Sequence, residues 1–192
     1  MPSLVTPALP AGSLASMDQT AITGDGVLLR AWTEADRAAV VAGFADPDIQ
    51  RWHCRSLDDD EALAWIARWR TGWLAETEAC WAVVADGVVA GQIGLRRIDL
   101  AEGMAAISYW TLPAARGRRV APRALEALTS WAFHDLGLHR LELSHSTANT
   151  ASCRVAGRSG FPAEGTKRAE ARHADGWHDM HLHARLATDP AR

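Results

Sequence analysis

The chain has 192 residues, of which 48% are hydrophobic and 22% charged, with a formal net charge of -3. This size and composition favour one globular domain and exclude a general nucleic-acid or membrane-surface binder, because the basic residues gather in a few short segments. The three cysteines lie far apart without C-x-x-C spacing, which predicts neither a disulfide framework nor a cysteine zinc site and favours a reducing cytoplasm.

The first part of the chain has no sustained hydrophobic period. Residues 1–22 hold three prolines and several small residues, which is typical of a disordered leader. No apolar run of about 18 residues and no signal peptide is recognisable, so membrane insertion and export are not expected. We therefore expect one domain over residues 23–188 and a short tail over 189–192.

The next segments alternate between strand and helix patterns. Val27–Trp32 is predicted to be a strand, and Thr33 with Asp36 resembles a capping box that begins a helix reaching about Ala45. The sequence Asp46-Pro47-Asp48 is expected to end that helix.

A second helix and three strands are predicted to follow. Asp58–Glu61 is an acidic helix start. Trp81–Ala85 and Val88–Ile93 flank Asp86-Gly87, which favours a type I′ turn and an antiparallel hairpin. Met104–Leu112 is the next strand. The apolar stripe of the second helix is expected in the core and comprises Leu63, Ile66, Trp69 and Trp73.

The most informative stretch is R-G-R-R-V-A, Arg116–Ala121, which leads into a helix that ends at Gly137. Arginines at a helix start oppose the macrodipole, so the pattern makes sense mainly if an anion binds there. Unpaired backbone N–H groups, a glycine and guanidinium groups together predict a phosphate cradle for a phosphorylated cofactor. A solvated arginine cluster is the alternative.

The remaining pattern completes a mixed sheet wrapped by helices. The helix after the cradle tolerates Pro122 because it falls within the first turn. Arg140–Ser146 alternates as a strand, Thr150–Arg158 suits a short helix, and Asp175-Gly176 lies between two final strands. The predicted buried side of the main helix comprises Leu125, Leu128, Trp131 and Ala132.

From about Val27 to Leu186 the chain resembles a GNAT-superfamily N-acyltransferase of the ribosomal-protein N-terminal acetyltransferase-like (RimJ/RimL-type) branch. The resemblance rests on the order and spacing of Tyr109-Trp110, R-G-R-R-V-A, W-A-F-H-D-L-G-L-H-R-L, N-T-A-S-C-R-V-A from Asn149, Gly160-Phe161, Glu164-Gly165 and the terminal D-G-W-H-D. It implies an α/β (α+β) fold with a mixed, mostly antiparallel sheet of about seven strands and about four helices. It also implies a homodimer, which is common in that branch.

The resemblance further implies that acetyl-CoA, or another acyl-CoA, is the co-substrate. Its pyrophosphate would rest on the amides of Arg116–Ala121 and its pantetheine would follow the strand that ends at Trp110–Leu112. Where the family has a loop glycine this chain has Arg119, for which we expect a helical φ and a phosphate contact. The residues assigned to CoA are Trp110, Thr111, Leu112, Arg116, Gly117, Arg118, Arg119, Val120, Ala121, Asn149 and Ser152.

Acyl transfer to an amine needs a neutral amine, donors for the developing oxyanion and a proton for the departing thiolate. The resemblance implies that a backbone N–H beside Trp110 or Thr111 polarises the thioester carbonyl. It also implies that Asn149 holds the pantetheine and that Ser152 donates a proton to the CoA sulfur. An Asn-Ser pair that opens a helix is equally an ordinary cap.

The general base is less evident, because the family's usual glutamate corresponds to Ala106 and the usual glycine to Ser108. His145 alternates with Leu141 and Leu143 and could relay a proton, directly or through water. The alternative is a hydrogen-bonded, half-buried histidine. Weaker candidates are Glu102, Glu142 and His53.

A weak base favours an acceptor of low pKa. An α-amino group titrates near 7.7–8.0, whereas a lysine amine near 10.4 costs about 3 kcal/mol more to deprotonate at pH 7. A peptide N-terminus or a low-pKa small amine is therefore the expected acceptor. Its cleft is assigned to Trp32, Trp52, His53, Trp73 and Trp177, although tryptophans at helical spacing are more often core.

Four histidines near the end of the sequence could bind a metal ion. On a strand, His181 and His183 share a face with Asp179, so a zinc or other transition-metal site is geometrically possible. The preferred interpretation is a polar edge strand and a turn, and we expect no metal. The other polar residues of this segment are His173, Asp175 and His178.

The resulting hypothesis is an acyl-CoA-dependent N-acyltransferase that transfers acetyl to a protein N-terminus or small amine, without nucleic-acid or membrane partners. One alternative is a catalytically impaired CoA-binding sensor or scaffold, favoured by Ala106 and Arg119. Another is a non-enzymatic metal or interaction module.

Overall fold

A computed structural model describes residues 4–190 of the chain. The strands are β1 (Ile22–Gly24), β2 (Val27–Arg30), β3 (Ala79–Ala85), β4 (Val88–Asp99), β5 (Met104–Thr111), β6 (Arg140–Ser146), β7 (Ala163–His173) and β8 (Gly176–Leu186). The α-helices are α1 (Arg37–Ala45), α2 (Pro47–His53), α3 (Asp59–Leu74), α4 (Val120–His134) and α5 (Thr150–Arg158), with 3-10 turns at Glu34–Asp36 and Pro113–Ala115. None of the described helices has the length and apolar character needed to cross a membrane.

The eight strands form one sheet in the order β1-β2-β3-β4-β5-β6-β8-β7. All neighbours are antiparallel except β5 and β6, which are parallel and pair only over Met104–Ile107 and Arg140–Leu143. Beyond these four pairs the two strands separate. The expected mixed, mostly antiparallel sheet is confirmed, and the strand beyond the expected seven is β1, which begins at the last residue of the predicted leader, Ile22.

Local signals explain most element boundaries. Asp86 and Gly87 have φ values of 49° and 78°, as a type I′ turn requires. Asp58 begins α3 with a complete capping box. Asp46 does not simply end α1, because its side chain accepts a hydrogen bond from Ile49 N at 3.0 Å and so begins α2. Pro47 at the first helical position fits this start, and α2 raises the helix count to five.

The sheet buries a core on each face. On the α4 face, Trp81 is fully buried between Trp73 and Trp131, with ring centroids 5.8 and 5.2 Å away. On the face covered by α1 and α3, Trp32 packs against Trp65 and Trp110. Trp73 thus belongs to the core, as its helical spacing indicated, and its assignment to the acceptor cleft was wrong.

The segment before β1 is folded onto the domain, which corrects the predicted disordered leader. Leu14 is fully buried. The Glu76 carboxylate accepts hydrogen bonds from the amides of Gly12 and Leu14, both at 2.7 Å, and of Ala15 at 3.0 Å. A single leucine and one carboxylate leave no periodic signal, so the pattern could not reveal this attachment. Residues 1–3 and 191–192 lie outside the described part.

Exchanging Glu76 for glutamine is expected to lower the free energy of unfolding by about 1–2 kcal/mol at pH 7, a range reduced for partial exposure. Against the opposing effect of burial, the three amide donors hold the pKa of the Glu76 carboxyl below its usual value. The contribution of Glu76 to the free energy of unfolding is therefore fully present above the pKa that its carboxyl has in the unfolded chain. It is lost as the pH falls through the lower pKa of the folded protein. Urea unfolding at pH 7 and below about pH 4 should show the difference shrinking on acidification. Glu102→Gln is the exposed control, and an equal Glu76 effect at both pH values would contradict the assignment.

Candidate active site

The separation of β5 and β6 opens a cleft of about 880 Å³ in the middle of the sheet. Residues 108–111 form one wall and residues 143–146 the other. The first turns of α4 and α5 line one side, and α2 with the end of β7 lines the opposite side. Within residues 4–190, the strand edges that face the cleft have no partner strand beyond Ile107 and Leu143, so an extended ligand can pass between them.

The loop before α4 exposes a row of backbone donors to this cleft. The amides of Gly117, Arg118, Arg119, Val120 and Ala121 have no hydrogen-bond partner within residues 4–190. Gly117 has φ +76°, and a Cβ there would meet nothing within 4 Å. Such consecutive N–H groups at a helix start form an anion site. The phosphate cradle predicted from the sequence thus has the donors it needs.

Arg119 differs from its expected conformation. It has φ 58° and ψ 22°, the left-handed region, and not the helical φ predicted. This conformation costs a non-glycine residue roughly 1–2 kcal/mol, which explains why glycine suits the position. The Arg119 side chain lines the cleft and has no ion-pair or hydrogen-bond partner in the described part of the chain.

The other two arginines of the loop are engaged elsewhere. Arg116 pairs with Asp46 and, at 2.8 Å, with Asp48, whereas Arg118 pairs with Asp86. Against the opposing effect of burial, hydrogen bonding from Arg116 holds the pKa of Asp46 below its usual value. Arg118 is absent from the described cleft lining, as is Leu112. Among the side chains of Arg116, Arg118 and Arg119, that of Arg119 alone has no carboxylate partner in residues 4–190 and is free to contact a phosphate.

The start of α5 presents a cap and a hydroxyl to the cleft. Asn149 Oδ1 accepts a hydrogen bond from Ser152 N at 3.0 Å, so the pair is an N-cap as well as cleft lining. The Ser152 side chain lies beside the phenol of Tyr109; burial raises the pKa of Tyr109 to about 12 although Ser152 opposes the shift. The phenol therefore stays protonated. Sequence reasoning used Tyr109 only as part of a motif.

His145 shares the face of Leu141 and Leu143, as strand alternation predicted. Its ring is 5% exposed, with Nδ1 2.8 Å from the carbonyl of Ser146 and Nε2 3.2 Å from Nε2 of His183. Burial, reinforced by the neighbouring histidines, lowers the pKa of His145. Both ring nitrogens face protein groups, so the structure favours the hydrogen-bonded histidine over the predicted base.

His178 is connected to the cleft through Ser146, on the face of the sheet opposite to His145. Ser146 Oγ lies 2.7 Å from Nδ1 of His178, and Nε2 of His178 lies 2.8 Å from Oδ1 of Asp175. The hydrogen bond from His178 holds the pKa of Asp175 below its usual value. Because ionised Asp175 accepts from Nε2–H, Nδ1 is left to accept from the Ser146 hydroxyl. The sequence predicted the Asp175-Gly176 turn that precedes His178, but it gave no sign that His178 contacts Ser146.

Two of the five predicted acceptor residues line the cleft, namely Trp52 and His53. Trp52 packs edge-on against His178, with centroids 6.3 Å apart. His53 Nε2 lies 3.2 Å from the Tyr109 carbonyl, and burial lowers its pKa to about 4, so the neutral ring donates to that carbonyl. Trp32 is core, and Trp177 is 66% exposed beyond the described lining.

A second cavity of about 390 Å³ has Ala106 in its lining. Glu78 lies there 2.5 Å from Arg68 and 3.4 Å from Arg96. Arg55 and Arg97 add two further cationic side chains. Four arginines against one glutamate make this cavity cationic.

Comparison with known proteins decides the family. The pattern described as "Acetyltransferase (GNAT) domain" matches residues 27–162. The chain belongs to the GNAT acetyltransferase family. A protein of Bacillus subtilis (strain 168) named "Putative ribosomal N-acetyltransferase YdaF" is 32% identical over 83 residues, which is 43% of this chain and 45% of that protein. The match therefore spans less than half of that relative.

Solved GNAT structures share the fold. Mycobacterium smegmatis RimJ in complex with CoA-disulfide has a TM-score of 0.80 at 23% identity and covers 90% of this chain and 88% of its own. The ribosomal L7/L12 alpha-N-protein acetyltransferase RimL in complex with coenzyme A has a TM-score of 0.81 at 19% identity, with coverages of 87% and 98%. The family and fold expected from the sequence are thus confirmed.

Proposed function

We propose that this protein is an acyl-CoA-dependent N-acetyltransferase that transfers acetyl from acetyl-CoA to a primary amine by direct attack. The observation that carries the proposal is the cleft between β5 and β6 directly beside the five unpartnered amides of Gly117–Ala121. An anion cradle next to a gap between strands suits a long ligand with a pyrophosphate at one end. The CoA complexes of the structural neighbours agree with this chemistry.

The donor thioester would lie between the two separated strands. Backbone N–H groups at Trp110 or Thr111 would stabilise the oxyanion that develops on its carbonyl oxygen. As the amine nitrogen forms its bond to the carbonyl carbon, the carbon–sulfur bond breaks and the CoA thiolate takes a proton from Ser152. Solvent in the open cleft would then restore the Ser152 proton, while the buried Tyr109 phenol, whose pKa is raised to about 12, stays protonated beside it.

The proton lost by the acceptor amine would leave toward Ser146 and His178, on the face of the sheet opposite to α5. Ser146 Oγ receives it while the Ser146 proton moves to Nδ1 of His178, and ionised Asp175 stabilises the resulting imidazolium. This three-residue chain, which we call the Ser146 relay, replaces the base that the sequence assigned to His145. Trp52 and His53 would line the acceptor's entry.

The charges of the site favour a low-pKa acceptor. Asp48 is the one carboxylate among the described cleft residues, and Arg116 already neutralises it. A relay through neutral groups deprotonates an α-amine far more easily than a lysine amine. The cationic cavity beside Ala106 additionally favours a peptide with acidic residues near its N-terminus.

The test measures CoA release from acetyl-CoA with matched acceptors. A peptide with a free N-terminus should be acetylated at least tenfold faster than the same peptide with a blocked N-terminus and a free lysine. Glutamate residues after the N-terminus should lower KM relative to lysine residues. Faster acetylation of lysine side chains or polyamines would contradict the proposed acceptor, whereas absence of CoA release with every amine would contradict acetyl transfer itself.

The second candidate, a CoA-binding sensor or scaffold without turnover, is favoured by Ala106 at the usual glutamate position. It predicts a CoA-dependent rise in melting temperature, near 2.7 kcal/mol of added stability at about 100 times the dissociation constant, without CoA release. We further propose a cytoplasmic location, in keeping with the free thiols of Cys54, Cys80 and Cys153, and assembly as a homodimer.

A further inference from the structure

A compact group of nitrogen and sulfur donors lies between the sheet and α5, apart from the Ser146 relay. His145 comes from β6, His181 and His183 come from β8, and Cys153 comes from α5. One donor atom from each lies within 4.8 Å of all the others. His145 and His183 are 5% and 4% exposed.

The hydrogen bonds of two rings fix which nitrogens carry protons. His145 Nδ1 donates to the Ser146 carbonyl at 2.8 Å, and His183 Nδ1 donates to the Phe161 carbonyl at 2.9 Å. A neutral imidazole has one N–H, so both Nε2 atoms bear lone pairs. These atoms lie 3.2 Å apart in a buried place. Two lone pairs at that distance repel each other unless a cation lies between them.

The other two residues supply the remaining donors. His181 Nδ1 is buried and has no hydrogen-bond partner in the described part of the chain, which is costly for a polar atom. Cys153 adds a sulfur from the other side of the cluster. Three imidazoles and one thiolate form a donor set typical of zinc.

We propose that His145, Cys153, His181 and His183 bind one zinc ion in a closed, tetrahedral, structural site. Zinc–nitrogen bonds of about 2.0–2.1 Å place two ligand nitrogens about 3.3 Å apart, close to the distance observed between the two Nε2 atoms. The carbonyls of Ser146 and Phe161 act as the outer partners that fix ring orientation. The ion would tie α5 to β6 and β8.

This site departs from the sequence-based expectation of no metal and from the ligand set considered there. Asp179 is not part of the cluster, and its Oδ1 accepts a hydrogen bond from Ala169 N at 2.8 Å. Cys153 was not considered because its position on α5, beside three strand histidines, depends on the tertiary packing. The proposal is independent of acetyl transfer.

The test uses the full chain purified without a histidine tag. Elemental analysis should find about one equivalent of zinc after equilibration and gel filtration. Cobalt(II), added after zinc removal, should give the intense visible bands of tetrahedral coordination and a thiolate-to-cobalt charge-transfer band. Cys153→Ser should abolish the charge-transfer band, and His183→Asn should weaken zinc binding at least tenfold.

Cys54→Ser is the matched control, since Cys54 is an exposed cysteine outside the cluster, and it should leave the cobalt spectrum unchanged. Circular dichroism identifies any variant that fails to fold. The cobalt spectrum of the wild-type chain tests the proposal even if a variant does not fold. Absence of a tetrahedral cobalt spectrum in the folded wild-type chain would overturn the proposal. Zinc binding as tight as wild type in both Cys153→Ser and His183→Asn would overturn it as well.

Discussion

Replacing Ser146 with alanine is expected to lower kcat/KM for amine acetylation by about 10²–10³-fold, within the usual range for a proton-transfer group. The reason is the loss of the oxygen that lies 2.7 Å from His178 Nδ1 at the cleft wall. His178→Gln should have a similar effect, because glutamine cannot accept the relayed proton as an imidazole does.

Ser144→Ala provides the matched control for this prediction. Ser144 lies two residues earlier on the same strand and also lines the cleft, but its hydroxyl has no hydrogen-bond partner in the described residues. We expect less than a threefold change. If Ser144→Ala and Ser146→Ala impair turnover equally, or if neither does, the relay is not the route of the proton.

Reversing the charge of Arg119 is expected to weaken acetyl-CoA binding by about 10²-fold or more, through loss of a charge-assisted phosphate contact and added repulsion. Arg119 is the loop arginine whose side chain is free in the cleft. Arg119→Glu should therefore raise the dissociation constant in calorimetry, with the increase reduced at high salt. Arg119→Gly should lose about tenfold, since it removes the charge but suits φ 58°.

Arg118→Glu is the control, because it makes the same charge change one residue away at a side chain directed to Asp86. We expect less than a fivefold effect on the dissociation constant. Equal losses for the two glutamate variants would indicate a general field effect and would contradict a specific phosphate contact by Arg119.

The sequence predicted the parts of the fold that depend on local chemistry. Asp86-Gly87 predicted the hairpin of β3 and β4. The spacing of Leu125 and Leu128 predicted the buried face of α4, and R-G-R-R-V-A predicted the phosphate cradle. Each of these signals is contained within a few neighbouring residues. The helix α2 was missed although Asp46-Pro47 is a standard helix start, because the proline was interpreted only as a terminator.

The site residues that were wrongly assigned depend on contacts between distant segments. Ser146 and His178 are 32 residues apart, so no spacing rule connects them. Trp73 was assigned to the cleft by its residue type, although its helical spacing already indicated the core. The helical φ expected for Arg119 was wrong because the loop needs a left-handed residue before α4, whatever the side chain.

The ion pairs of Arg116 join the two halves of the active site. Arg116 is anchored in the donor loop, and its carboxylate partners lie at the beginning of α2. That helix has seven residues and ends at Trp52 and His53 on the acceptor side, so it acts as a rigid rod of about 10 Å. The ion pairs of Arg116 thereby fix the spacing between the phosphate loop and the acceptor entrance through one short helix.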